Sequence, residues 1–188
     1  MKLLVLVDLQ NDFIDGSLGS LEAQAIVPRV VNKLNNYPDK ENTLLLFTKD
    51  THYENYMDTL EGQMLPVLHC IENTSGWGIN KLITSTTLHL PFLKYSSDKI
   101  INSRIYKNTF GSDVLEELII NYKDDIDEIE FLGLCTDICV ISNVVMARQK
   151  LPNTKITVDA SCCAGVTPEK HKAALEVMKS CQINVINE

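Results

Sequence analysis

The chain has 188 residues, 45% hydrophobic and 22% charged, a balance that suits one globular core and excludes a disordered or fibrous chain. With 17 Lys and Arg against 25 Asp and Glu the formal charge is −8, and no basic run offsets it, so neither a nucleic-acid nor a membrane-surface partner is expected. No apolar stretch approaches the ~20 residues that span a bilayer, and the first apolar run is too short for a signal peptide.

Leu3–Val7 is continuously apolar and reads as a strand covered on both faces. Pro28, a favourable first helical position, is predicted to open a helix running to about Asn36. Thr43–Thr48 is the second strand. From Asp50 to about Asp98 there is little periodicity, and irregular stretches of that length in compact domains are usually functional. Lys99–Arg104 is the third strand. Asp113–Tyr122 is a helix with Leu115, Leu118, Ile119 and Tyr122 at helical spacing, and Glu128–Gly133 is the fourth strand. A helix then starts near Asp137 and is apolar nearly throughout (Val140, Ile141, Val144, Val145), which predicts burial. Lys155–Asp159 is the fifth strand, Thr167-Pro168 caps and opens the last helix, and Ile183–Ile186 is the sixth strand.

This alternation predicts one α/β domain over residues 1–188, three-layered, with a mostly parallel central sheet of about six strands and helices on both faces. In such sheets ligands gather at the carboxyl ends of strands, so the residues there are the candidates. Asp8 follows the first strand, Asp50 and His52 the second, Lys107 the third, and Cys135 and Cys139 the fourth. Six cysteines (Cys70, Cys135, Cys139, Cys162, Cys163, Cys181) in a chain of this size read as reduced thiols in a cytoplasmic protein rather than a disulfide framework. Cys139, at a helix start, suits a nucleophile, but its spacing alone favours a small buried hydrophobe. Asp8 suits a general base or a turn cap, and Lys107 suits a cation beside a thiolate or a surface lysine. Taken together, the three supply what an activated thiol needs. Asp50, His52 and His69 are metal ligands by type, with Glu61 as a fourth and Glu54 and Asp58, nearer His52, competing for that place; the polar-loop reading stands level with this one. His89 and His171 have no comparable company and are expected to be surface or capping residues.

Val7-Asp8-Leu9-Gln10-Asn11-Asp12-Phe13 resembles the opening signature of the isochorismatase-like cysteine hydrolases. Gly133-Leu134-Cys135-Thr136-Asp137-Ile138-Cys139-Val140 resembles their nucleophile segment, and Asp159-Ala160 with Pro168, His171 and Ala174-Leu175 is similar to their C-terminal segment. Asp50-x-His52, His69-Cys70 and Thr74-x-Gly76 look like the metal-binding nicotinamidase branch.

The resemblance implies a catalytic set of Asp8, Lys107 and Cys139, with a cis peptide bond before Cys135 and an oxyanion hole from the N–H groups of Cys135 and Cys139. It implies a divalent metal ion (zinc, with manganese or iron as alternatives) on Asp50, His52, Glu61 and His69, and a small-molecule amide substrate against Phe13, Phe110 or Trp77. It also implies a homo-oligomer. In many members the lysine stands six residues before the segment's phenylalanine, where this chain has Arg104; Lys107 fits a shorter variant of the loop. Ile138 and Pro66 stand where some nicotinamidases carry a histidine or an aromatic. The reaction implied is hydrolysis of nicotinamide to nicotinate and ammonia through a thioester. The alternatives are another small amide or a carbamoyl compound, and a non-catalytic binding subunit that kept the fold.

Overall fold

A computed structural model describes residues 1–38, 42–87, 100–101 and 103–188. The strands are β1 (Lys2–Val7), β2 (Thr43–Asp50), β3 (Ile100–Ile101), β4 (Arg104–Lys107), β5 (Glu128–Leu134), β6 (Lys155–Ala164) and β7 (Asn184–Ile186). They form one sheet in the order β3-β4-β2-β1-β5-β6-β7, parallel throughout except for the antiparallel pair β3–β4. The helices are α1 (Asn11–Ile14), α2 (Leu21–Asn35), α3 (Leu60–Met64), α4 (Lys81–Thr86), α5 (Asp113–Asn121), α6 (Ile141–Lys150) and α7 (Pro168–Ser180), with a π-helical turn at Thr136–Val140.

The predicted α/β architecture is present. Leu3 to Val7 are wholly buried because β1 lies between β2 and β5 and is covered on both faces. The strand order reverses between β1 and β5. With right-handed crossovers this puts α2, which packs with α1 and α4, on one face and the series α5, α6, α7 on the other. The reversal opens a crevice at the carboxyl ends of the strands. There, neighbouring strands β4, β2, β1 and β5 end beside one another.

Four features differ from expectation. α2 begins at Leu21, seven residues before Pro28, because Ser20 caps it by accepting the Ala23 N–H at 3.0 Å. Its buried stripe, Ala23, Ile26, Val27, Val30 and Leu34, runs through the proline and holds the helix despite the missing N–H. The third predicted strand divides: Ser103 takes a left-handed backbone (φ 61°), which ends the edge strand β3 and lets β4 carry Lys107 at its end. β6 continues past Asp159 to Ala164, its pairing with β5 shifting register between Phe131 and Gly133. The helix expected from Asp137 is a π turn before α6, and Ile141 and Val145, expected to be buried, are only partly so.

Gly133 explains how the chain leaves β5. Its φ is +128°, and a Cβ there would lie 2.1 Å from the Val7 carbonyl oxygen on β1. Only glycine permits this approach. The peptide bond from Leu134 to Cys135 is cis, as the resemblance implied.

Candidate active site

Asp8, the first residue past β1, is fully buried and takes a left-handed backbone (φ 46°), which Asp tolerates better than most side chains. The Thr48 hydroxyl donates to its Oδ1 at 2.6 Å, and the Lys107 Nζ lies 2.7 Å from its Oδ2. The same Nζ donates to the Thr109 carbonyl at 3.1 Å and stands 3.5 Å from the Cys139 Sγ. Acid, ammonium and thiol therefore meet, delivered by β1, β4 and the turn after β5.

Their protons follow from burial and charge. Burial pushes the Cys139 thiol well up; Lys107 opposes that push and Asp8 adds to it, so the resting group is a neutral thiol. Burial also raises Asp8, against the pull of Lys107. Burial alone would lower Lys107, but the charges of Asp8 and Asp50 hold it far above an ordinary lysine. A fixed cation thus stands between a thiol and a carboxylate of raised proton affinity. That arrangement lets a proton pass from sulfur to oxygen while the ammonium stabilises the sulfur anion.

Asp50, at the end of β2, faces both ways. Its Oδ1 is 3.8 Å from the Lys107 Nζ, and its Oδ2 is 3.0 Å from the His52 Nε2 and 3.4 Å from the His69 Nε2. One ligand atom from each of Asp50, His52 and His69 falls within 4.8 Å of the others, and all three residues are buried. His69 Nδ1 bonds the Val67 carbonyl at 2.8 Å, which leaves Nε2 turned toward Asp50. Burial would raise Asp50, yet His52, His69 and Lys107 hold its carboxyl well below the usual range. Two imidazole nitrogens and an ionised carboxylate converging on one point fit a divalent first-row metal. The Glu61 Oε1 is 3.8 Å from His52 Nε2, outside that tight trio but on the same side.

Cys139, Asp50, Glu61 and His69 open onto one cavity of about 390 Å³, walled by Phe13, Leu18, Phe110, Leu134, Cys135 and Ile138 among others. Trp77 is not on its wall. Its indole N–H donates to the Thr51 hydroxyl at 2.9 Å, its ring stacks on Tyr106, and the Lys49 ammonium sits 3.0 Å from its centroid. Arg104 is also elsewhere: three residues before Lys107 on a strand, an odd spacing turns it to the other face. His171 Nδ1 bonds the Thr136 hydroxyl at 2.8 Å, so it braces the Thr136–Val140 turn rather than lying on the surface; His89 is outside the described residues.

The isochorismatase domain family matches residues 2–188. The chain belongs to that family. This isochorismatase-family chain is similar to the nicotinamidase/pyrazinamidase of Mycobacterium tuberculosis, with 25% identity over 99% of this chain and 98% of that one. Among solved structures it resembles the nicotinamidase/pyrazinamidase of Bacillus subtilis (25% identity, TM-score 0.80, 99% of both chains). It also resembles the pyrazinamidase of Pyrococcus horikoshii in complex with zinc (21% identity, TM-score 0.74, 100% and 99% of the chains), a likeness of fold.

Several residues around the family site were not singled out from sequence. Gln10, fully buried, pairs its side-chain amide with the backbone of Asp50: Nε2 donates to the Asp50 carbonyl at 2.8 Å and to Trp77's at 3.0 Å, and Oε1 accepts the Asp50 N–H at 2.7 Å. Asp12 accepts the Cys70 N–H at 2.7 Å and so anchors the segment that bears His69. Tyr56 lies against both imidazoles, with ring centroids 4.6 and 5.0 Å away. The polar run Gln10-Asn11-Asp12 after an apolar strand was the available signal; its partners, 40 to 67 residues away, were not.

Proposed function

We propose that this chain is a metal-dependent nicotinamidase, acting as one domain on a small heteroaromatic amide through Cys139, Asp8 and Lys107. The observation that carries the reading is the Lys107 ammonium standing 2.7 Å from Asp8 and 3.5 Å from Cys139, beside a ring-sized cavity that adjoins Asp50, His52 and His69. Relatives named nicotinamidases, alike over nearly the whole chain, support it.

Asp8 takes the Cys139 thiol proton, and Lys107 holds the thiolate by charge. The sulfur attacks the carboxamide carbon, and the oxygen anion that forms is held by the backbone N–H groups of Cys135 and Cys139. Asp8 returns its proton to the nitrogen, the C–N bond breaks and ammonia leaves, giving a thioester. Asp8 then takes a proton from water, the water oxygen attacks the same carbon, the C–S bond breaks and Cys139 regains a proton. Phe13 and Phe110 flank the ring. A divalent ion, zinc on the chemistry of the donors and by the zinc complex of the similarly folded pyrazinamidase, would be held by Asp50, His52 and His69 with Glu61 completing the set, and would supply a Lewis acid for the ring nitrogen.

Ammonia release from nicotinamide tests this. Activity that disappears in Cys139→Ala, falls on chelation and is absent with benzamide, which lacks the ring nitrogen, is the expected pattern. Turnover by Cys139→Ala would remove the nucleophile, and indifference to chelators would remove the metal. Faster hydrolysis of a carbamoyl amine than of nicotinamide would transfer the chemistry to the other substrate class.

A further inference from the structure

Asn143 takes no part in the chemistry above, yet it sits in the first turn of α6, four residues past Cys139, with no solvent exposure. Asparagine is a poor helix former, and a buried amide is tolerated only when it is hydrogen-bonded. Here it bonds two different segments. Its Nδ2 donates to the Cys139 carbonyl at 2.7 Å and to the Phe110 carbonyl at 3.3 Å, and its Oδ1 accepts the Ser112 N–H at 3.0 Å. The neighbouring buried positions on the helix are Val144 and Ala147, so a hydrocarbon would suit the core as well.

The second segment is the loop that sets Lys107. Lys107 Nζ donates to the Thr109 carbonyl, Phe110 forms part of the cavity wall, and the Ser112 hydroxyl caps α5 by accepting the Leu115 N–H at 3.1 Å. One side-chain amide therefore joins the turn bearing the thiol to the loop that holds the ammonium. The His52–His69 cluster lies on other segments and does not touch it.

We propose that Asn143 is a positioning residue, registering the Cys139 turn against the Lys107 loop so that sulfur and ammonium stay at working distance. The proposal rests on the reading of Cys139 as nucleophile. It assigns Asn143 to the chemical step rather than to substrate capture.

Two variants test it with nicotinamide as substrate. Asn143→Asp keeps the shape and the acceptor for Ser112 but turns an acceptor toward the two carbonyls; Asn143→Ala removes all three bonds. Displacement of reacting groups by about 1 Å costs on the order of 100-fold, so kcat is expected to fall about 10- to 100-fold in both. KM stays within about threefold, the signature of an interaction made in the transition state only. The rate at which iodoacetamide alkylates Cys139, followed by mass spectrometry across pH, falls in parallel. Wild-type kcat per alkylatable Cys139 in a folded variant, or a loss carried entirely by KM, would overturn the proposal. If the alanine variant does not fold, the aspartate variant and its alkylation rate decide. Cys139→Ala in the same assay keeps the two readings apart: its activity would refute the nucleophile, whereas an inactive Cys139→Ala beside a fully active Asn143→Asp would refute only the positioning role.

Discussion

Replacing Lys107 by methionine removes the charge and keeps most of the volume. Lys107 and Asp8 are both buried, 2.7 Å apart, and Lys107 is the main influence opposing the burial that raises Asp8. Removing one partner of such a pair leaves an uncompensated charge and costs about 3–5 kcal/mol. For a chain of this size each kcal/mol moves the melting midpoint roughly 2–4 °C, so a fall of roughly 6–20 °C is expected at neutral pH. The pH dependence has a definite sign. Asp8, already raised, climbs further in the variant, so its folded form binds a proton more tightly than its unfolded form. Stability then rises as pH falls through the folded value of Asp8 toward the ordinary carboxylate value of about 3.9, and the gap to wild type narrows. Thermal and urea unfolding of both proteins at neutral and mildly acidic pH measure this, with ammonia release as the functional readout. A midpoint within about 3 °C of wild type at neutral pH, or a gap that widens on acidification, would refute the reasoning. Arg104→Met, on the opposite face of β4, should leave activity near wild type.

Gly133→Ala places a methyl 2.1 Å from the Val7 carbonyl at a positive φ, so loss of at least about 3 kcal/mol is expected in urea unfolding, and an unchanged midpoint would contradict the close approach. Gln10→Leu leaves the Asp50 N–H and two carbonyls without their side-chain partner; Zn²⁺ titration should show affinity about 10- to 100-fold weaker, and wild-type affinity in a folded variant would dismiss the clamp. Lys33 lies 2.5 Å from both Glu130 and Asp159, and Lys33→Met should cost about 3–5 kcal/mol near neutrality. Burial would raise Asp159, but its bonds to Lys33 and Ser161 hold it below the usual range, so the wild-type contribution is present above about pH 3.9 and is lost as pH falls through the folded value. Urea titrations should therefore show the two proteins converging in acid; a constant gap would exclude this cluster as the cause.

How much was legible beforehand depended on the range of the interaction. A continuous run such as Leu3–Val7 announced a strand because burial on both faces leaves no room for alternation. Local caps were legible at Thr167 but missed at Ser20, where Pro28 drew the helix start to itself although the buried stripe continues through it. The choice of Lys107 over Arg104 needed the strand boundary, since their spacing puts them on opposite faces only if both lie on β4. Trp77 resembled a pocket aromatic by position, yet Lys49, Tyr106 and Thr51 hold it elsewhere, and none of those contacts is visible in a linear pattern. Gln10 and Asn143 were illegible for the same reason: their bonds reach Asp50, Trp77, Phe110 and Ser112, 31 to 67 residues away.

Asp8, Asp50, Lys107 and Cys139 each arrive from a different one of four neighbouring strands, or from the turn that follows it. Because side chains alternate along a strand, sliding any one of these strands by a single residue would send its group to the opposite side of the sheet. A covalent active-site titrant should therefore count molecules whose strands are in correct alignment. Catalytic competence would appear late in refolding, after secondary structure, and the lag between the two would time the final seating of the strands.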